Sequence, residues 1–443
     1  MVEAITIATF AVVCAVALFR IEWSLALIVL LFPFKQALQA SSGFFLTYYY
    51  LPNLVVVGIA STSLIRSLAT SAAPMRGYLS PMFWSTIVIY AWSAVTLAWT
   101  PSYGTASEFV TNNLPYLFLY VFLAPALVDG IESVRKFIRL LLWLSAVVAA
   151  VILVNPTFIS QSGRMGIKIS ASLQSNPLAI GELGGMMIIM AVLVRPSSAT
   201  FTTGAVRLTT FILGVLLGLQ SGSRGQMLFS VMLAILFVPI AKRVRNVFGF
   251  FGTAAGMAIV GAAVLFLAQG VLEGHGLKRW EADSVQEGIG VRFANAADLL
   301  AAWATFPPAW LFGLGLNAFS SLGQVQAYQS YSHNMTIDAL AELGLPIFVI
   351  FTGIWYRVYR SSVWLVRRFS DDVEYRAVAA TLVALVAFEF LLANKQGMLW
   401  VTSNLFMWAL ILNRVRQCEE LEMVPNPARE PGEDRGSALP DMP

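Results

Sequence analysis

Long apolar runs separated by short polar connections make up most of this 443-residue chain. Thirteen such runs lie near residues 4–19, 22–40, 48–67, 80–100, 108–128, 134–153, 177–195, 205–221, 224–241, 246–269, 334–357, 376–393 and 397–413. A helix needs roughly 20 apolar residues to cross the hydrocarbon core of a bilayer. Because lipid offers no partner for backbone N–H and C=O groups, runs without period-two alternation predict transmembrane helices. The pattern therefore predicts an all-α polytopic membrane protein with a bundle of about 12–13 spans.

Two connections are long and polar, at residues 154–176 and 270–333. In the second, residues 291–306 place Leu299, Leu300 and Trp303 against Arg292 and polar neighbours, a spacing that predicts an amphipathic helix along the membrane surface. Two prolines end this helix, and a Gly-Leu-Gly sequence at 313–315 predicts a tight loop.

Composition excludes an ordinary soluble protein. Only 12% of the residues are charged and the mean hydropathy is +0.73, whereas soluble domains are about 25% charged. We expect residues 1–416 to form one transmembrane domain that includes the 270–333 loop. Residues 417–443 are rich in Pro, Glu, Asp and Gly and predict a disordered cytoplasmic tail. Cys14 in the first run and Cys418 in the tail predict no disulfide.

Positive charges divide unequally between alternate connections. The odd-numbered connections hold 18 of the 28 Lys and Arg residues, the even-numbered ones hold eight, and two lie in the tail. By the positive-inside rule, the even face is extracytoplasmic. The eight cations of that face run against the topological trend, which an anionic ligand would explain; they are Lys35, Arg164, Lys168, Arg224, Lys278, Arg279, Arg292 and Lys395. The net charge of +4 comes mostly from the richer face and suits anionic lipid headgroups, not nucleic acid.

The turn Ser221-Gly-Ser-Arg-Gly225 joins two apolar runs so closely that they must form a hairpin. Glycines allow a ligand to approach the backbone, the Ser223 hydroxyl can donate, and the planar fork of Arg224 matches phosphate oxygens. The turn thus predicts a phosphate site. The alternative is an interfacial arginine that only extends its charged group into the water beside the membrane.

His333 stands where the second long loop meets the next apolar run, and Asn334 follows it. A helix beginning near Ser332 would place His333 in its first turn, where the helix dipole disfavours the imidazolium. A neutral imidazole there can accept a proton from a hydroxyl, so we expect His333 to be a catalytic base. A histidine that only caps the helix is the alternative.

Arg292 and Arg164 are further candidates for binding a diphosphate, and Lys168 is a lesser one. Three arginines could hold a pyrophosphate without a metal, since each charge-assisted contact contributes roughly 1.5–3 kcal/mol. Asp338 and Glu342 lie one helical turn apart below the histidine and could orient the imidazole or pair with an arginine.

Two further carboxylates, Glu182 and Glu389, fall inside predicted spans, where a structural pairing role is the simpler reading. The chain has only two histidines, His275 and His333, which are far apart in sequence, and no Cys-rich or Asp-rich motif. No metal site and no cofactor are predicted.

Taken together, these segments resemble the O-antigen ligase and O-antigen polymerase superfamily of bacterial envelope glycosyltransferases. The resemblance rests on the dozen or so spans, the Ser-Arg-Gly turn at 223–225, the long loop with Arg292 and Gly313-x-Gly315, and His333-Asn334 followed by Glu342-x-Gly344. It implies a donor glycan on undecaprenyl diphosphate, diphosphate contacts from Arg224 and Arg292, a role for His333 in metal-independent catalysis, and a site facing the periplasm from the bacterial inner membrane. Arg164 is assigned to the diphosphate without a matching motif.

The resemblance leaves the acceptor open. A ligase joins the glycan to lipid A-core, a polymerase joins two lipid-linked units of an O-antigen or exopolysaccharide, and related members glycosylate protein. A transporter or flippase for a lipid-linked sugar is a different class of hypothesis. It would predict cations along a path through the bilayer and paired inverted repeats, whereas the candidates here cluster on one face.

Overall fold

The structure is a computed structural model, and it describes residues 2–70, 78–155, 158–161, 164–167, 177–195, 200–243, 247–268, 282–322 and 332–423. These residues form an all-α polytopic membrane protein, as the apolar pattern predicted. Among the described helices, seven are long and apolar enough to cross a membrane, and a pair bent by 66° between Val29 and Leu31 makes eight.

The helices are α1 (Val2–Ala17), α2 (Ile21–Val29), α3 (Leu31–Ser41), α4 (Gly43–Thr47), α5 (Leu51–Thr70), α6 (Pro81–Val95), α7 (Tyr103–Leu117), α8 (Ala124–Ala126), α9 (Gly130–Leu153), α10 (Pro177–Leu193), α11 (Phe201–Gln220), α12 (Arg224–Lys242), α13 (Val247–Ala268), α14 (Ala282–Thr305), α15 (Pro308–Phe312), α16 (Met335–Ala341), α17 (Leu345–Arg368), α18 (Val373–Gln396) and α19 (Ser403–Glu422). Short 3₁₀ or π segments lie at Thr96–Ala98, Phe118–Leu123 and Ala318–Ser321. Each of the thirteen apolar runs coincides with one or two of these helices.

A short β-hairpin lies in the first long connection, which the sequence pattern left without regular structure. Strand β1 (Phe158–Gln161) pairs antiparallel with β2 (Arg164–Ile167). The backbone of Arg164 lies opposite that of Gln161, at the turn of the hairpin. This hairpin is the one β element among the described residues.

Helices α11 and α12 form the predicted hairpin, which packs on α10 and α18. A Cβ at Gly184 would lie 2.6 Å from the carbonyl oxygen of Gly214, and a Cβ at Gly214 would lie 2.9 Å from the carbonyl oxygen of Gly184. Small residues at this crossing let the backbones of α10 and α11 touch, which is a common way for membrane helices to associate.

Two ends of the bundle differ in their charged groups. At the first end, Arg135 and Arg139 both pair with Glu374 at the start of α18, and Arg243 after α12 lies 3.3 Å from Asp371. Because α12 and α18 run antiparallel, the start of α12 and the end of α18 meet at the opposite end of the bundle. We call this opposite end the histidine end, since His333 lies there.

The second long loop is fastened to the bundle by two glycine-containing segments. The Leu314 N–H donates to the Ala341 carbonyl at 2.8 Å, and the Gly315 N–H donates to the Glu342 carbonyl at 3.0 Å. Gly313 has φ +78°, and a Cβ there would lie 2.0 Å from the Glu342 carbonyl oxygen. The contact therefore excludes any side chain at residue 313.

Two sequence-based boundaries were wrong. The run at 334–357 is not one helix: it breaks between α16 and α17 around Gly344, whose φ of +86° and contact with the Leu311 carbonyl interrupt the helix. The tail does not begin at residue 417, because α19 continues to Glu422. The Glu419 carboxylate accepts a 3.0 Å hydrogen bond from the Ile131 N–H, which ties this part of α19 to the start of α9. Residues 424–443, the rest of the predicted tail, lie outside the described residues.

Candidate functional site

The turn between α11 and α12 is tightly packed and places Arg224 as the first residue of α12. Gly222 takes a positive φ of +62°, and the Ser223 N–H donates to the Ser221 hydroxyl at 3.3 Å. Ser223 is buried, and a Cβ at Gly181 of α10 would lie 2.7 Å from its Cβ. Helix α10 thus holds the turn in one position, and Ser223 is part of that packing.

Lys395, near the end of α18, reaches across to the start of α12. A Cβ added at Gly225 would lie 2.4 Å from the Lys395 Nζ, so the absence of a side chain at residue 225 makes room for the ammonium group. The Lys395 Nζ donates to the Gln226 Oε1 at 3.3 Å and to the Gln396 Oε1 at 3.4 Å. The Gln226 amide in turn donates to the Gln396 Oε1 at 2.8 Å, which orders both acceptors.

Sequence reasoning missed Lys395 as a site residue. One sequence feature could have identified it, because Lys395 is one of the eight cations on the face poorer in positive charge. No motif marked it, and only the packing of α12 on α18 brings it to Gly225.

His333 does not lie in the first turn of a helix, contrary to the prediction. Helix α16 begins at Met335, and Asn334 is its N-cap, whose Oδ1 accepts a 3.1 Å hydrogen bond from the Ile337 N–H. His333 precedes the cap in a left-handed conformation, with φ +66°. Such a φ is uncommon for a residue with a Cβ and is found enriched at functional sites.

Ser332 and Asp338 hold the segment that carries the histidine. The Ser332 hydroxyl donates to the Asp338 carboxylate and accepts a 3.0 Å hydrogen bond from the Asn334 N–H. Both Ser332 and Asp338 are buried. Asp338 therefore fixes the backbone on either side of His333, and its described partner is this hydroxyl and not an arginine.

The imidazole of His333 lies among positive charges at the end of α18. It donates a hydrogen bond to the backbone carbonyl of Gln396, and the positive charges of Arg292 and Lys395 both act on it. Burial, and after it the charge of Arg292, lowers the pKa of His333 to about 4. The imidazole is therefore neutral at physiological pH. Sequence analysis explained the neutral imidazole by a helix dipole, whereas in the structure burial of the side chain is the largest cause of the lowered pKa.

Arg292 belongs to α14, the predicted amphipathic helix, which begins at Ala282 and is longer than the predicted 291–306. Leu299 of this helix is fully buried against Phe319 and Ala341. Helix α14 thus packs on α16 as well as on the loop, and it presents Arg292 toward the imidazole and Lys395.

Glu342 has a structural role in the described residues. Its carboxylate accepts hydrogen bonds from the Asn317 N–H at 2.9 Å and the Phe319 N–H at 3.4 Å. Asn317 has a positive φ of +58°, so this carboxylate holds a turn of the long loop against the break between α16 and α17. Glu342 orients the loop and not the imidazole.

The structure therefore brings four residues together at the histidine end. The charges of Arg224 and Arg292 both act on Lys395, and those of Arg292 and Lys395 act on His333. Arg164 is placed only by its backbone in β2, and Lys168 and His275 lie outside the described residues. Three neighbouring cations, two of them close to a neutral imidazole, form a site that can bind a polyanion such as a diphosphate beside a group that accepts a proton. Within the described ranges, no three His, Cys, Asp or Glu residues are grouped as metal ligands.

A comparison with protein-family models gave no match, and a comparison with curated protein sequences gave no significant match. The resemblance to the O-antigen ligase and polymerase superfamily therefore depends on the motifs at the Ser-Arg-Gly turn, the long loop and the His-Asn pair.

Proposed function

We propose that this protein transfers a glycan from an undecaprenyl-diphosphate donor to an acceptor hydroxyl, as an envelope polysaccharide ligase or polymerase of the bacterial inner membrane. The observation that carries the proposal is the neutral imidazole of His333 near Arg292 and Lys395, with the charge of Arg224 acting on Lys395 in turn. A diphosphate needs several cations and an attacking hydroxyl needs a base, and both are found in this one cluster.

The position of the cluster in the bundle supports a lipid-linked donor. Arg224 begins α12 and Lys395 lies one residue from the end of α18, so both lie where these helices end, the level of lipid headgroups. The opposite end holds Arg135, Arg139 and Arg243 with their acidic partners, and the positive-inside rule assigns that end to the cytoplasm. The reaction would then take place on the periplasmic face.

The proposed reaction is a direct displacement at the anomeric carbon. The acceptor oxygen attacks that carbon while His333 takes the hydroxyl proton, and the bond between the anomeric carbon and the diphosphate oxygen breaks. One ring nitrogen of His333 donates to the Gln396 carbonyl, so in the proposed reaction the second ring nitrogen would take the proton. The three cations stabilise the charge that develops on the diphosphate. A single displacement inverts the anomeric configuration.

The test is a transfer assay with the purified protein, an undecaprenyl-diphosphate glycan and a chelator. Lipid A-core and a second lipid-linked glycan are offered separately, so the product distinguishes a ligase from a polymerase. We expect His333→Ala to abolish transfer and to keep donor binding, and we expect Arg224→Ala and Arg292→Ala to weaken donor binding.

Lys136→Met is the control, because this exposed lysine lies at the opposite end and pairs only with Glu132 at 3.7 Å in the described part of the chain. It should leave transfer unchanged. Absence of product with both acceptors, or full transfer by His333→Ala, would refute the proposal.

A further inference from the structure

A cavity of about 160 Å³ lies inside the bundle between α3, α7, α10, α18 and α19. Aromatic rings, an amide and two carboxylates contribute to its wall; among them are Phe32, Tyr116, Tyr120, Glu182, Glu389 and Asn404. One water needs roughly 10–15 Å³ of volume measured in this way, so the cavity has room for about 11 to 16 waters.

Glu182 and Glu389 meet at Asn404 inside this cavity. The Asn404 Nδ2 donates to the Glu182 Oε1 and to the Glu389 Oε2, each at 2.8 Å. Neither carboxylate pairs with a lysine or arginine of the described chain. Carboxylates within membrane-spanning helices are expensive and usually mark a functional pathway or site.

One oxygen of this pair points to a ligand. The Glu389 side chain is 3% exposed, and its Oε1 has no hydrogen-bond partner among the residues that the structure describes. A buried polar atom without a partner is destabilising, so the cavity favours a ligand that brings a hydrogen-bonding group to this oxygen.

The cavity suits a sugar better than a bare cation. Its volume far exceeds that of one ion, and the rings of Tyr116 and Tyr120 offer apolar faces beside the polar groups. Sugars present both hydroxyl donors and apolar C–H faces, and pockets for such ligands combine aromatic walls with a few placed polar groups.

Gln396 connects the cavity to the cation cluster. It lines the cavity, its carbonyl accepts from the His333 imidazole, and its side-chain oxygen accepts from Lys395. Glu389 lies seven residues before it in α18, or about 10 Å along the helix. In a lipid-linked glycan the first sugar is bonded directly to the diphosphate, so its binding site must adjoin the diphosphate site.

We propose that this cavity binds the donor sugar that is bonded to the diphosphate, with the Glu389 carboxyl group hydrogen-bonded to a sugar hydroxyl. The proposal rests on the proposed function and adds a substrate class to the same site. It separates two tasks: the cations bind the diphosphate, and the carboxylate pair with its aromatic wall recognises the sugar.

The experiment measures binding to the purified full-length protein. The probes are undecaprenyl diphosphate without a sugar and the same lipid with one hexose, one N-acetylhexosamine or one 6-deoxyhexose. We expect at least one sugar-bearing lipid to bind more tightly than the sugar-free lipid. Glu389→Gln should reduce that advantage by about tenfold, since an amide NH2 replaces one of the two oxygens that can bond a sugar hydroxyl, and should leave the sugar-free lipid unaffected. Lys395→Met should weaken the binding of all four lipids.

Thermal unfolding of each variant in detergent reports whether it is folded, and Glu182→Gln serves as the second variant at the pair. An unchanged sugar advantage in folded Glu389→Gln overturns the inference, as does equal binding of all four lipids. Stabilisation by sodium alone that depends on Glu389 also overturns it, because the cavity would then be an ion site. If no diphosphate lipid binds, or if Lys395→Met has no effect on any of them, the proposed function fails as well.

Discussion

Replacing Lys395 by Met tests whether the cation cluster binds an anion. The Lys395 ammonium has two neutral amide acceptors, at 3.3 and 3.4 Å, and two positive neighbours, Arg224 and Arg292. Without an anion, this charge is therefore repelled by both neighbours. Methionine has a similar shape, so the substitution removes the charge and keeps most of the packing.

The expected result is a loss of donor affinity without a loss of stability in the ligand-free protein. Removing one charge-assisted contact to a diphosphate costs about 1.5–3 kcal/mol, which corresponds to roughly 10- to 150-fold weaker donor binding. The melting temperature of the ligand-free variant should be unchanged or higher, because the lost hydrogen bonds are offset by relief of the repulsion.

The assay is equilibrium binding of undecaprenyl diphosphate at pH 6, where Lys395 carries its charge, with thermal unfolding of the same samples. Lys136→Met provides the matched control, since it removes the same charge at the opposite end of the bundle. Unchanged donor affinity in Lys395→Met would refute the assignment of Lys395 to the anion site, and so would a large loss of stability with no loss of affinity per folded molecule.

Three further predictions concern the same region. Because burial lowers the pKa of His333 from about 6.5 to about 4, transfer should be constant between pH 6 and pH 5 and fall as the pH drops through about 4. Native stability should decline between about pH 6.5 and 4, where the unfolded chain binds the proton first. A decline of equal size in His333→Gln would contradict this. Gly225→Ala should leave the fold intact but shift the flexible end of Lys395, lowering donor affinity by several-fold in the same binding assay; unchanged affinity would contradict the proposed contact. Gly313→Ala should destabilise the protein by more than about 3 kcal/mol in a thermal-unfolding measurement, since a positive φ and a backbone clash combine. Gly353→Ala is the control, because there is open space around its Cβ and the substitution should cost nothing. Equal melting temperatures of the two variants would contradict the role of residue 313 in holding the loop.

The sequence by itself determined the fold class and the positions of the helices. Apolar runs of span length predict helices because lipid satisfies no backbone hydrogen bonds, so each of the thirteen runs coincides with helix in the structure. The amphipathic helix containing Arg292 was also predictable, because its spacing is a local property of the chain. The asymmetry of charge selected the set of cations from which the site is built.

Tertiary structure alone decided which of those cations meet. Arg224 and Lys395 are 171 positions apart by their numbers, and only the packing of α12 on α18 brings the lysine to Gly225. The break before α17 also depends on a tertiary contact. Gly344 has a positive φ there and packs against the carbonyl of Leu311, which is distant in the chain. Helix formation is governed by local periodicity, whereas the site is governed by contacts between segments far apart in the chain, which no periodicity records.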